Sequence, residues 1–142
     1  MQYESQTSVG QKVIINGERV ASVTTDDGKR PRWTELNIYE TYSGIFVLEE
    51  IGRTVAFKED PNGVPMEEIP NHYIPAPGTD LSAERFTPEK DMFSVSTFDS
   101  VMMLIDTGLR QTNGRFTGPS QSIVAQLKEK YNIPFEREVI EL

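Results

Sequence analysis

Trp33-Thr34-Glu35-Leu36-Asn37-Ile38-Tyr39-Glu40-Thr41-Tyr42, then Ser43-Gly44, then Ile45-Phe46-Val47-Leu48-Glu49-Glu50-Ile51, reads as two long strands joined by a turn. In the first run Thr34, Leu36 and Ile38 share one face, while Trp33, Glu35, Asn37, Tyr39 and Thr41 share the other. This period of two belongs to an extended chain with its first set turned to a core. In the second run Ile45 and Val47 oppose Phe46 and Leu48, so both faces are apolar, the pattern of a central strand covered on both sides.

Working towards the N-terminus, Lys12–Ile15 and Glu18–Thr24 are β-prone runs separated by Asn16-Gly17. That dipeptide accepts positive φ at both central positions of a type I′ turn, and it predicts a hairpin. Asp26-Asp27-Gly28 breaks the pattern, and Lys29-Arg30-Pro31-Arg32 follows as a basic, proline-stiffened connection. Residues 1–10 are polar and are expected to be a flexible N-terminus.

Working towards the C-terminus, Gly52 predicts a bulge that bends one long strand into Arg53–Lys58. Residues 59–91 hold six of the nine prolines and are expected to form an irregular excursion, with His72–Ile74 as a short edge strand. Met92–Phe98 reads as a strand feeding a helix capped by Thr97 or Asp99, with Val101, Leu104 and Ile105 at helical spacing before Gly108. Thr117-Gly118-Pro119 opens a second helix with proline at its first position and Ile123, Val124, Leu127 and Tyr131 as its apolar stripe. Phe135–Leu142 alternates again, suited to a sheet edge or to another subunit. The expected fold is α+β: a mainly antiparallel twisted sheet of about five to seven strands with two short C-terminal helices.

The chain of 142 residues fits a single domain, 1–142, because two halves would each bury too little apolar surface. With 37% hydrophobic and 25% charged residues it has the composition of a globule. It has no cysteine, which removes disulfides, thiolate metal sites and cysteine nucleophiles. The N-terminus lacks a basic region followed by an apolar run, and no apolar stretch approaches the roughly 20 residues of a membrane span. The expectation is a cytoplasmic protein without membrane contact. A net charge of -8 argues against broad nucleic-acid binding, which depends on many lysine and arginine contacts to phosphate.

The chemistry motifs are absent: no phosphate-binding loop, no dinucleotide turn, no nucleophile elbow and no His-Glu-x-x-His. The one histidine, His72, is expected to be structural or solvated, so a metal site would need a set of carboxylates. Asp26-Asp27, Glu49-Glu50, Glu59-Asp60 and Glu67-Glu68 are adjacent acids, but strand neighbours point to opposite faces, and they read as solvated charge. Asp26-Asp27-Gly28 lacks the alternating ligands and closing glutamate of a calcium loop. No metal and no cofactor is expected.

What remains is a set of arginines with one tryptophan: Arg30, Arg32, Trp33, Arg53, Arg110 and Arg115. Guanidinium groups hold phosphate or carboxylate bidentately and aromatic faces stack on bases, so this set would suit a small nucleotide-like anion if the fold brings it together. The competing reading is a solvated turn at Lys29–Arg32, Trp33 packed at a sheet margin, and Arg110 and Arg115 on helix-end carbonyls or acids.

Trp33–Thr41, continued by Gly44–Val47 and Gly52-Arg53-Thr54, resembles segments of small proteins of phages and bacterial mobile elements. The resemblance implies a context in which small proteins bind and neutralise something, and it carries no catalytic residue. The expected function is a non-enzymatic accessory protein that sequesters a small anionic ligand, as a homo-oligomer. The alternatives are an acidic inhibitor of a host enzyme or defence complex, acting through Glu49, Glu50, Glu59, Asp60, Glu67 and Glu68, and an enzyme with an unrecognised site that uses His72 or a carboxylate brought together by the fold.

Overall fold

The computed structural model describes residues 1–57, 74–81, 86–88 and 91–134. Among them, six strands form one antiparallel sheet: β1 (Gln2–Gln6), β2 (Lys12–Thr24), β3 (Arg32–Thr41), β4 (Phe46–Phe57), β5 (Phe86–Pro88) and β6 (Met92–Phe98). The class is α+β. β4 is the central strand, with β3 along one edge and β6 and β5 in succession along the other. Of the expected strand at His72–Ile74 only Ile74 is described, in a bend, and the alternating tail Phe135–Leu142 falls outside the described residues, as does most of the proline-rich stretch 59–91.

The β3–β4 pairing follows the period-two pattern directly, in unbroken register from Arg32 opposite Thr54 to Glu40 opposite Phe46. Gly44 takes φ 91° in the turn, a conformation in which a side chain is costly, and Thr41 binds Ile45 through backbone and hydroxyl alike. Gly52 neither bulges nor bends β4. It sits in regular register opposite Thr34 and Met92, because the partners on both sides hold the strand extended.

Asn16-Gly17 does not make a turn. β2 continues through it without a break, and the hairpin lies further back, where Thr7 and Gln11 pair, Gly10 takes φ 84°, and the polar N-terminus supplies β1 rather than a flexible lead-in. Asn16-Gly17 is the corner at which β2 exchanges neighbours: Lys12–Asn16 pair with β1, and Gly17–Thr24 pair with β3. The sheet curls at this corner, carrying β1 and the first part of β2 over one face until β1 touches β6. Tyr3 then lies on Tyr39 with ring centroids 4.7 Å apart, and Val13, Ile15, Val47 and Val95 complete that small core.

A register shift between Arg19 and Ala21 makes this possible. Val13, Ile15, Ala21 and Val23 are all odd-numbered, and a regular strand would turn them to one side. The extra residue inverts the alternation, so that Val13 and Ile15 face the inner core while Ala21 and Val23 face the helices.

The helices cover the other face. Ser100, rather than Thr97 or Asp99, caps α1 (Val101–Met103), its Oγ accepting from Met103 N at 3.1 Å. The chain then widens into a π-helical segment, Leu104–Leu109. There Gly108 lies against the Phe98 ring, where a Cβ would come within 2.6 Å of Cζ, so a larger residue would require the ring to shift. α2 (Gly118–Lys130) starts at the Thr117 cap with Pro119 at its second position. Ile123, Val124 and Leu127 from α2 join Leu104, Ile105 and Leu109 over Leu36, Ile38, Phe46 and Leu48. Gln126 reaches the outer edge of β2, accepting from Ser22 N at 3.1 Å and donating to Ser22 O at 2.9 Å. No helix among the described residues is long and apolar enough to cross a membrane.

Candidate functional site

The helices leave one end of the sheet uncovered. On their side of the sheet, β3 presents Arg32, Thr34, Leu36 and Ile38 in sequence, and β4 answers with Thr54, Gly52, Glu50 and Leu48 at the paired positions. β6 adds Met92 beside Gly52, and the end of β2 adds Thr25 beside Thr34. Leu36, Ile38 and Leu48 pack under the helices, and the sheet end beyond them runs from the Thr34–Gly52 row to the Arg32–Thr54 row. A cleft of about 640 Å³ opens there, lined by Thr25, Arg32, Thr34, Gly52, Thr54 and Met92, with the strand segments of Trp33 and Arg53 completing its floor.

The loop before β3 is held by its own acids. Asp26 Oδ1 accepts from Gly28 N at 2.9 Å, and Asp27 Oδ1 accepts from Lys29 N and Arg30 N at 2.9 and 3.0 Å. The backbone amide of Lys29 is the main reason the Asp27 carboxyl titrates below its ordinary value. The two acids thus build a turn that delivers Arg32 to the cleft rim.

The opposite face carries a different chemistry. Trp33 and Arg53 are direct cross-strand partners whose side chains run away from Arg32, by strand alternation. Arg53 forks onto Glu35, with Nε 2.8 Å from Oε1 and Nη2 3.0 Å from Oε2, and its Nη1 reaches Asp91 Oδ2 at 2.6 Å. Two carboxylates on one guanidinium leave Arg53 a clamp between β3, β4 and the start of β6 rather than a receptor for an anion.

Deeper on that face, beneath the curled N-terminal strands, Glu49 is 3% exposed. Its Oε1 accepts from Asn37 Nδ2 at 2.9 Å and from the Tyr39 hydroxyl at 3.0 Å. The expectation of a solvated Glu49 is therefore overturned, and Glu49 drops out of any acidic docking face. The reason is that its strand position points into a layer that supplies two donors, which is what a buried carboxylate requires. Ser5 Oγ and Trp33 Nε1 are buried on the same side without a hydrogen-bond partner among the described residues.

The arginine set divides. Arg32, Trp33 and Arg53 meet at the uncovered end of the sheet, with Arg32 on one face and the other two on the other. Arg30 is exposed at the loop and pairs with Asp27 at 3.3 Å. Arg110 lies in another cleft, between the π-helical segment and the end of α2, stacked on Phe116 at 4.4 Å and donating to Gly114 O at 2.9 Å. Arg115 is exposed in the same loop. His72, Glu59, Asp60, Glu67 and Glu68 fall outside the described residues. Among the described residues no cluster of three or more histidines and carboxylates could hold a metal ion. The threonines and Gly52 of the cleft escape sequence reading because hydroxyl residues are ordinary in strands. Alternation within Trp33–Ile51 was the available signal.

Burial first, and then the neighbouring carboxylates Glu49 and Glu40, push the Tyr39 and Tyr131 hydroxyls well above their ordinary range. The folded protein keeps these protons where the unfolded chain loses them, near pH 10. Their contribution is therefore complete below pH 10 and is lost as pH rises beyond it. Urea titrations should give a flat stability between pH 8 and 9 and a fall from about pH 10, shallower in Tyr39→Phe. An unchanged slope in that variant would refute the assignment.

No family model matches this chain, and no curated protein or solved structure matches it, so the cleft is interpreted from its own geometry.

Proposed function

We propose that the protein is a non-enzymatic binding protein whose uncovered sheet end takes a small anionic, nucleotide-like ligand. The observation that carries this reading is the cleft itself: Arg32 at the rim, Thr34 and Thr54 around it, the Thr25 hydroxyl holding the Thr34 backbone in place, and Gly52 as a floor without a side chain. Its volume of about 640 Å³ lies within the range of small-molecule sites. Guanidinium and hydroxyl groups are the donors that phosphate oxygens accept, and the exposed Met92, 78% accessible, offers a soft apolar wall. Arg53 supports the floor from behind, through Glu35 and Asp91.

The test is calorimetry and thermal shift with a panel of nucleotides and cyclic nucleotides, since a ligand bound only by the native state raises Tm by mass action. Arg32→Ala should weaken binding about 10- to 100-fold, the worth of a charge-assisted phosphate contact. Its own Tm should stay within about 2 °C of the parent, as for a surface change. No shift across the panel at millimolar ligand would overturn the reading.

A further inference from the structure

A second cleft of about 340 Å³ continues from the first, sharing Thr25 and Thr34, and runs beneath the end of the π-helical segment and the start of α2. Its walls are Leu36 and Leu48 from the sheet and Leu109 and Pro119 from above, and the exposed Glu50 also lines it. On β3 and β4 the other carboxylates are all engaged: Glu35 by Arg53, Glu40 by Tyr131, and Glu49 by Asn37 and Tyr39. Glu50 alone of these makes no hydrogen bond or ion pair among the described residues, and its side chain is exposed at the cleft. A carboxylate only accepts, so whatever enters this cleft to meet it must bring donors.

We propose that Glu50 is a specificity residue for a guanine-type base, the ligand being a purine nucleotide with its phosphate at Arg32. The inference rests on the binding role given above to the first cleft. Arg32 lies opposite Thr54 and Glu50 lies opposite Leu36, which sets the two charged positions about 14 Å apart along β3 at about 3.4 Å per residue. With the reach of the two side chains, that span suits a nucleoside monophosphate and exceeds a bare phosphate. The leucine and proline walls provide a slot for a flat heterocycle. Guanine offers a ring N–H and an adjacent amino group side by side, matching the two oxygens of Glu50. Adenine places a ring acceptor there, which faces the carboxylate lone pair to lone pair. The hydroxyls at the start of α2 are already satisfied by each other, with Thr117 Oγ1 donating to Ser120 Oγ at 3.0 Å, so recognition falls to Glu50.

Calorimetry of the full chain with guanosine, inosine and adenosine monophosphates and with inorganic phosphate tests this. Guanosine monophosphate should bind about tenfold or more tightly than adenosine monophosphate, with inosine monophosphate between them. Glu50→Gln should abolish the preference for guanosine monophosphate over adenosine monophosphate, because the amide offers a donor to the adenine ring nitrogen and loses one acceptor for guanine. Equal affinities in the parent, or a preference that survives Glu50→Gln, would overturn the role of Glu50 and leave the anion cleft standing. Failure of every nucleotide and of phosphate to bind would overturn both.

Discussion

Gly17→Ala should lower stability by about 3 kcal/mol or more, or prevent folding. A Cβ at this position would lie 2.1 Å from Glu40 O and 2.7 Å from Thr41 Cα. Both obstacles are backbone, so no rotamer change relieves them, and β2 would have to part from β3 at the corner. That parting would strain two hydrogen bonds formed there, Tyr42 N to Asn16 O and Gly17 N to Met1 O, both 3.0 Å. Gly52→Ala is the natural control. Its Cβ would meet only Met92, at an ordinary 3.6 Å, and should cost less than about 1 kcal/mol. Urea denaturation of the two variants measures the contrast, and a Gly17→Ala midpoint equal to the parent's would refute the account of the corner.

Asn37→Leu should cost about 3 kcal/mol, although the side chains are similar in size. It removes the 2.9 Å donor to Glu49 and leaves a carboxylate at 3% exposure with only the Tyr39 hydroxyl. Replacing both partners, in Asn37→Leu/Glu49→Met, should recover part of the loss, because no charge is then stranded. Glu50→Gln, one residue further along the same strand, should stay within about 0.5 kcal/mol. Equal effects of Asn37→Leu and Glu50→Gln in chemical denaturation would contradict the assignment of inner and outer faces.

Adjacent glutamates with such different consequences show what linear reading can and cannot supply. The alternation of Trp33–Ile51 places Glu49 and Glu50 on opposite faces and makes β4 central. The spacing of Ile123, Val124 and Leu127 likewise places α2. What period cannot show is that the second face is roofed by β1 and the start of β2, for that roof depends on a bend at Gly17 and a bulge before Ala21. Asn16-Gly17 has the local chemistry of a turn, yet the close approach of Glu40 and Thr41 uses the same glycine for a different purpose. Tertiary contact overrides propensity there. For the site, Arg32, Trp33 and Arg53 are legible as neighbours once β3 pairs with β4. Alternation then separates them, and two acids distant in sequence, Glu35 and Asp91, turn Arg53 into a clamp.

The amide of Gln126 on Ser22 has a consequence beyond helix placement. From Glu18 to Thr24, the side of β2 away from β3 has no neighbouring strand among the described residues, since β1 pairs with Lys12–Asn16. An open row of backbone donors and acceptors is a template on which another chain can add a strand and begin to aggregate. By offering one acceptor and one donor to the same residue, Gln126 imitates the next strand for a single rung. An incoming strand would have to displace a side chain 104 positions away in sequence, carried on a helix anchored in the core, before it could zip along β2. Among the described residues, this edge is guarded by one glutamine rather than by a further strand.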